Sequence, residues 1–135
     1  MYEGMINGLF QALEGWNLLL IIFGTFMGII FGSMPGLTAT MGLALLVPFT
    51  FGMEPAAGLI MLAGIYVGAM YADAIPAILI NTPGTPAAIA TTFDGFPLAQ
   101  KGKAQQALVT AAFASFFGSV VANVVLAAFA EPLAE

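Results

Sequence analysis

The sequence contains very little charge. Only 7% of its 135 residues are charged and 61% are hydrophobic, whereas about 25% charged residues are usual in a soluble domain. So few charges cannot cover a surface that faces water, which excludes a free soluble monomer. The 16 glycines and 8 prolines lie within this apolar background, as is typical of closely packed or interrupted transmembrane helices. The composition therefore predicts an integral membrane protein.

Several reactive residue types are absent as well. The sequence has no histidine and no cysteine, and its two cations are Lys101 and Lys103. These absences exclude Ser-His-Asp and Cys-His catalysis, HExxH zinc sites and disulfide bonds. The net charge of −5 argues against nucleic acid as a partner, because binding to nucleic acid needs a basic patch. We therefore expect neither an enzyme nor a protein with a metal or an organic cofactor.

The first 16 residues have the periodicity of an amphipathic helix. Their apolar positions are Met5, Ile6, Leu9, Phe10 and Leu13, and their polar positions are Glu3, Asn7, Gln11 and Glu14. Trp16 favours the headgroup boundary. We expect residues 1–16 to form an interfacial helix and 17–135 to form a transmembrane segment. A frayed terminus is the alternative for the first part.

Apolar stretches cover 17–34, 41–53, 56–71 and 107–130. The third runs into Asp73 and Pro76 and continues apolar through Ile80. The first and the last are long enough to cross roughly 30 Å of hydrocarbon, whereas 41–53 is too short to span comfortably. Because Pro and Gly interrupt helices, these patterns predict an all-α integral membrane protein with several spans and two Pro-Gly broken or re-entrant segments. The sequence leaves open whether 41–53 crosses the membrane or re-enters.

Small residues recur every four positions in three of these stretches. Such spacing places them on one helix face, where another helix backbone can approach closely. A substrate-facing groove is the alternative for the first set. The positions predicted to pack helices are Gly24, Gly28, Gly32, Gly64, Gly68 and Gly118.

The two Pro-Gly segments are the strongest functional signal, at 33–40 and 81–87. Irregular backbone at membrane depth is tolerated only inside protein or beside a wet cavity, and interrupted helices of transporters bind substrates and ions. A simple proline kink without a ligand is the alternative for each segment. The candidate substrate-binding residues are Ser33, Pro35, Gly36, Leu37, Thr38, Asn81, Thr82, Pro83, Gly84 and Thr85.

Two aspartates lie near these segments. Asp73 stands within an apolar run, and a carboxyl group within a membrane span suggests function by default. It is therefore the candidate for binding a coupling ion, Na⁺ or H⁺, and a hydrated helix end is the alternative. The Asp94-Gly-Phe-Pro97 sequence is typical of a turn.

Longer motifs resemble a known family. They are Gly32-Ser-Met-Pro-Gly-Leu-Thr-Ala-Thr40, Gly64-Ile-Tyr-Val-Gly-Ala-Met-Tyr71, Ala77-Ile-Leu-Ile-Asn-Thr-Pro-Gly-Thr-Pro-Ala87 and Thr92-Phe-Asp-Gly-Phe-Pro97. In this order, from Leu18 to about Gly118, they resemble the large membrane subunit of the tripartite tricarboxylate transporters. The chain resembles the N-terminal portion of such a subunit, which is several times longer.

The resemblance implies a permease subunit in the bacterial inner membrane. A periplasmic solute-binding protein would deliver tricarboxylates or related carboxylates to it and to a small membrane subunit, and an ion gradient would drive import. The signature segments of the family fall on Pro35 to Thr38 and on Asn81 to Thr85. After Tyr71 the family usually has a Gly-Gly-Ser run, whereas this chain has Ala72-Asp73-Ala74, which makes Asp73 a subfamily feature.

A second function remains open at this stage. The glycine faces would also suit a small self-associating membrane protein with a structural or assembly role and no transport of its own. Substitutions distinguish the two functions, because changes near Asn81 should abolish transport in the first case and be mild in the second. The sequence names neither the carboxylate nor the coupling ion.

Overall fold

The structure is a computed structural model that describes the backbone of residues 2–134, with side-chain surroundings for residue 4 and residues 6–129. All regular elements in this part of the chain are α-helices, so the predicted all-α membrane fold is confirmed. Seven helices follow in order: α1 (Tyr2–Ala12), α2 (Gly15–Gly32), α3 (Ala39–Thr50), α4 (Pro55–Ala72), α5 (Ala74–Ile80), α6 (Pro86–Gln100) and α7 (Ala104–Ala134).

Three helical stretches are long and apolar enough to cross a membrane. They are Gly15–Gly32, Pro55–Ile80, which combines α4 and α5, and Ala104–Phe129. At about 1.5 Å per residue, the 18 residues of α2 extend about 27 Å, close to the thickness of the hydrocarbon core. The 12 residues of α3 extend only about 18 Å. Helix α3 is therefore a short apolar helix between two longer ones.

Proline separates α4 from α5 within one apolar stretch. Pro76 has no N–H, so the carbonyl group of Ala72 cannot receive its usual helical hydrogen bond. Asp73 lies at this junction with helical dihedral angles, φ −59° and ψ −26°, and its N–H donates to the Ala69 carbonyl oxygen at 3.1 Å. The chain therefore keeps its direction while the helical hydrogen-bond pattern is interrupted beside Asp73.

Helices α2 and α4 approach each other backbone to backbone. A Cβ atom at Gly24 would lie 2.5 Å from the Met61 carbonyl oxygen, and one at Gly64 would lie 2.9 Å from the Ile21 carbonyl oxygen. Cβ atoms at the other packed glycines would collide with carbonyl groups of the facing helix in the same way. These pairs are Gly28 with Ile65, Gly32 with Ala69, and Gly68 with Thr25.

The core lies on the two sides of this glycine contact. Leu20 of α2, Leu46 of α3 and Met61 and Ile65 of α4 form a buried cluster, and Ile65 is fully buried. Burial of each such side chain contributes about 1.5–3 kcal/mol relative to exposure to water. Within a membrane that driving force is absent, and close packing is the main source of stability. The glycine register of α2 and α4 therefore determines how this part of the chain fits together.

The turn predicted at Asp94–Pro97 is wrong, because α6 continues to Gln100. Pro97 lies near the C-terminal end of the helix, where its missing N–H removes only one intrahelical hydrogen bond. Gly95 permits α6 to pack closely on α5, because a Cβ atom at this position would lie 2.7 Å from Cγ1 of the buried Ile78. Packing against α5 thus overrides the local turn signal.

At the N-terminus, α1 ends at Ala12 and α2 begins at Gly15, so Trp16 belongs to the first turn of α2. The amide group of Asn17, which is buried, donates to the Gln11 carbonyl oxygen at 2.8 Å and joins the two helices. The apolar side chains of Ile6, Leu9, Phe10 and Leu13 are exposed. The side chains of Glu3 and Met5 lie outside the described residues, and the interfacial position of α1 stays a prediction.

Alanine at Gly28 should destabilise the helix pair, because its Cβ atom would overlap the carbonyl group of Ile65. We expect the free energy of unfolding to fall by about 1–3 kcal/mol, the usual effect of overpacking. The lower stability should appear as a lower melting temperature of the purified protein in detergent. Alanine at Gly15 of the same helix is the matched control, since nothing lies within 4 Å of its Cβ position. Equal melting temperatures for the two variants would contradict the proposed packing.

Candidate functional site

Asp73 binds the second Pro-Gly segment. Its Oδ1 accepts a hydrogen bond from the backbone N–H of Gly84 at 2.8 Å, and its Oδ2 accepts one from the Thr85 hydroxyl group. Asp73 is only 5% exposed. We call the Gly84 N–H and the Thr85 hydroxyl the donor pair. Because both carboxylate oxygens are engaged, Asp73 fixes the position of a segment that is 11 and 12 residues further along the chain.

Local sequence explains the shape of this second segment. Asn81 ends α5 in the left-handed region at φ 54°, a conformation that Asn adopts more readily than other non-glycine residues. The N–H of Thr82 donates to the Pro76 carbonyl oxygen at 3.2 Å. Pro86 then begins α6, where its missing N–H costs no helical hydrogen bond. The chain therefore leaves one helix and starts another within five residues.

The donor pair lies at the N-terminal end of α6. Thr85 is the N-cap residue of this 15-residue helix, and its own side chain makes no capping hydrogen bond. The partial positive charge of a helix N-terminus favours a nearby anion. Asp73 provides that anion from another part of the chain. Its carboxylate thus satisfies a backbone donor that precedes the helix and complements the helix dipole at the same time.

The polar groups of the first Pro-Gly segment bond locally. The Thr38 hydroxyl accepts a hydrogen bond from the Met41 N–H at 3.3 Å and caps α3. The Ser33 hydroxyl donates to the Ile30 carbonyl oxygen at 2.9 Å. Gly36 has φ +88°, a left-handed conformation that L side chains rarely adopt. Pro35 and Gly36 are exposed.

The two Pro-Gly segments come close together at one point. A Cβ atom at Gly84 would lie 3.7 Å from the Leu37 carbonyl oxygen, and 2.6 Å from Oδ1 of Asp73. The Leu37 carbonyl group of the first segment therefore lies near the place where Asp73 binds the second segment. Three parts of the chain, near residues 37, 73 and 84, converge at this point.

A cavity of about 530 Å³ extends from the donor pair between α5, α6 and α7. Its volume is within the range of small-molecule sites, about 300–1,000 Å³. Asp73 and Thr85 form part of its wall, and no described residue of 33–38 does. Its polar side chains are Asp73, Thr85, Thr91, Asp94, Gln106, Thr110 and Ser115.

The charge of this cavity is negative. Asp73 and Asp94 are its ionisable wall residues, and none of the described residues that line it is a lysine or an arginine. An anion that enters would find neutral donors, namely hydroxyl groups, an amide and a helix N-terminus. Such donors suit a carboxylate, but they do not offset its charge. A cation that enters would find carboxylate and hydroxyl oxygens.

The predicted site residues fall into separate groups. Asp73, Gly84 and Thr85 are brought together, and the Leu37 carbonyl group lies near Gly84. Thr82 donates its hydroxyl hydrogen to the Ile80 carbonyl oxygen at 3.1 Å, and Asn81 is exposed.

Of the packing glycines, Gly118 is the exception, because nothing lies within 4 Å of its Cβ position. It lines a second cavity of about 650 Å³ between α2, α4 and α7.

The sequence analysis missed the polar wall that α6 and α7 contribute. Thr91 and Asp94 are three residues apart, and Gln106 and Thr110 are four apart, so each pair shares a helix face. Polar residues at this spacing in otherwise apolar helices were the available signal. Asp94 was interpreted as part of a turn, and that interpretation concealed the shared face.

Comparison with known proteins identifies the family. The model of the tripartite tricarboxylate transporter TctA family matches residues 18–135. The chain belongs to the tripartite tricarboxylate transporter TctA family. It is also 45% identical over 127 residues to a protein of Agrobacterium vitis described as "Uncharacterized 52.8 kDa protein in TAR-I ttuC' 3'region". The aligned residues are 94% of this chain and 25% of that protein, so the chain spans about a quarter of this curated relative.

No solved structure matches the chain. TctA is a transporter family and not an enzyme family. The resemblance noted in the sequence is therefore confirmed. The match covers both Pro-Gly segments, Asp73 and the polar wall of the cavity.

The contact between Asp73 and Gly84 can be tested with a double-mutant cycle. Gly84→Ala should lower stability because its Cβ atom overlaps Oδ1 of Asp73, and Asp73→Ala should do so because the Gly84 N–H loses its partner. The double variant should lose less stability than the sum of the two, by about 0.5–3 kcal/mol, as is typical of residues in contact. Unfolding of the purified protein in detergent measures all three changes.

Gly84→Ala combined with Thr92→Ala is the control pair for this cycle. The Thr92 hydroxyl donates to the Ile89 carbonyl oxygen of its own helix at 2.7 Å, so these two losses should add. Additive losses for Gly84 and Asp73 as well would contradict the contact.

Proposed function

We propose that this chain forms part of the membrane permease subunit of a tripartite, ion-gradient-driven secondary transporter that imports tricarboxylates or related carboxylates. The subunit works in a bacterial inner membrane. A small membrane subunit and a periplasmic solute-binding protein are its partners, and the binding protein delivers the substrate. The substrate path runs past the Pro-Gly segments 33–40 and 81–87.

One observation carries the substrate class. The donor pair already binds a carboxylate, that of Asp73, with one hydrogen bond to each oxygen. A backbone N–H, a hydroxyl group and a helix N-terminus therefore form a site whose geometry and polarity suit a carboxylate. The donor pair adjoins a cavity of about 530 Å³. A small di- or tricarboxylate could reach it from there.

The negative cavity supports coupling to a cation. A carboxylate substrate that enters beside Asp73 and Asp94 adds negative charge where no positive side chain of the described wall offsets it. Such charges are costly away from water unless they are paired. A Na⁺ ion or a proton that moves with the substrate would supply the missing charge. Asp73, buried and adjacent to the donor pair, is the residue we propose for this cation.

The self-association alternative receives less support. Its basis was the glycine faces, but the faces of α2 and α4 cover one another within the chain. They are therefore not available to pack against a second copy. Gly118 of α7 remains open.

Uptake of labelled citrate and succinate tests the proposal. The full-length subunit is expressed with its small membrane subunit and its binding protein in bacteria that lack citrate uptake. We expect cation-dependent accumulation that disappears when the permease subunit is omitted. Thr85→Val should lower uptake about tenfold or more at low substrate, because it removes a hydrogen bond to a charged group.

Thr92→Val is the matched control for Thr85→Val, because the Thr92 hydroxyl bonds within α6. Its uptake should stay within about twofold of the unaltered transporter. Immunoblots of the membrane fraction must show equal amounts of both variants. Absence of di- and tricarboxylate accumulation by the unaltered complex would refute the proposal.

A further inference from the structure

Asp73 uses the donors that suit a substrate carboxylate. The Gly84 N–H and the Thr85 hydroxyl each donate a hydrogen bond to one of its oxygens. Asp73 as a residue is only 5% exposed. An N–H group has a single hydrogen to donate, and so has a hydroxyl group. A second carboxylate therefore cannot take the donor pair while Asp73 holds it. Either Asp73 or a substrate carboxylate binds there, but not both.

Charge makes the exclusion stronger. Two carboxylates close together in a poorly hydrated site repel each other, and the repulsion increases as the local dielectric constant falls. The ionisable groups that face this site are Asp73 at the α4–α5 junction and Asp94 of α6. The residues that α7 contributes to the cavity wall are uncharged. Its polar wall residues are Gln106, Thr110 and Ser115. The described wall contains no positive side chain that could lessen the repulsion.

We propose that Asp73 is an internal competitor: it occupies the donor pair when substrate is absent, and a substrate carboxylate displaces it only after a cation has neutralised it. The proposal rests on the proposed function and deepens it, because it assigns a cause to the coupling. Na⁺ or H⁺ neutralises the carboxylate of Asp73, the hold of Asp73 on the donor pair weakens, and the substrate takes the same two donors. Release of the cation on the other side returns Asp73 to the donor pair and expels the substrate.

The competition predicts a distinct effect of removing the charge of Asp73. Asn at this position retains the size of the side chain and an oxygen that can accept from the Gly84 N–H, whereas Ala removes both hydrogen bonds. In the competitor role, both Asp73→Asn and Asp73→Ala release the donor pair from a charged rival. In a purely structural role, Asn would preserve the behaviour of the unaltered transporter and Ala would abolish transport. The two variants therefore separate the roles, and they differ in their risk of misfolding.

The experiment uses the complete transporter in membrane vesicles with labelled citrate as the probe. The KM for uptake is measured in two series, one with varied Na⁺ at constant pH and one with varied pH at constant Na⁺. A separate assay measures exchange of labelled for unlabelled citrate without any cation gradient. The unaltered transporter should show a KM that falls about tenfold or more as its coupling cation rises. The series in which it falls identifies the cation.

Asp73→Asn should keep citrate exchange, lose accumulation, and show a KM that changes less than about twofold across both series. Asp73→Ala should behave in the same way. If the Asp73→Ala protein is absent from the membrane, the measurements on Asp73→Asn alone decide the proposal. Glu54→Gln, which removes a charge at the exposed start of α4, should keep the full cation dependence.

Two results would overturn the proposal. One is an Asp73→Asn transporter whose KM keeps the cation dependence of the unaltered protein. The other is loss of citrate exchange by Asp73→Asn at normal membrane levels, because the charge would then be needed for binding. If the first result is obtained and Asp94→Asn loses the cation dependence, the coupling charge belongs to Asp94 and not to Asp73. Failure of the proposed function is a separate result, since the unaltered complex would then take up no citrate or succinate at all.

Discussion

Backbone groups that leave a helix and are shielded from solvent must find partners inside the protein, because an unpaired buried polar group is costly. The two Pro-Gly segments solve this problem in different ways. The first uses its own hydroxyl group, since Thr38 caps α3 through the Met41 N–H. The second depends on Asp73, a residue of another helix junction, for the N–H of Gly84. A structural requirement has thus placed a buried carboxylate at the centre of the candidate site.

The glycine contact between α2 and α4 determines where that carboxylate lies. Gly32 packs against the backbone of Ala69, one turn before Asp73, so the end of α4 is held against α2. Pro76 then interrupts the hydrogen-bond pattern and leaves Asp73 at the junction of α4 and α5. Sites built on rigid elements keep their geometry better than sites on loops. The helix pair therefore serves as the fixed part from which Asp73 binds the second Pro-Gly segment.

Local signals in the sequence predicted much of this architecture. Proline and glycine in apolar runs indicated where helices end, and the spacing of Gly24, Gly28 and Gly32 indicated a packing face, because both effects act within a few residues. The hydrogen bonds from the donor pair to Asp73 were not predictable in this way. They depend on the turn between α5 and α6, and α6 was itself missed because its Asp94-Gly-Phe-Pro97 sequence is typical of a turn. Only the contact of Gly95 with Ile78 shows why that sequence is helical.

The cavity wall that the structure describes contains no arginine or histidine, and this bears on the proposed mechanism. A transporter with these residues could bind a carboxylate by charge, and its own aspartates would then be poor rivals for the substrate. This chain offers a backbone N–H and a hydroxyl group instead. Neutral donors bind any carboxylate of suitable position, including that of Asp73, so they cannot by themselves favour the substrate. Under the proposed mechanism, the choice between the two carboxylates depends on which of them is neutralised, and this dependence would couple import to a cation gradient.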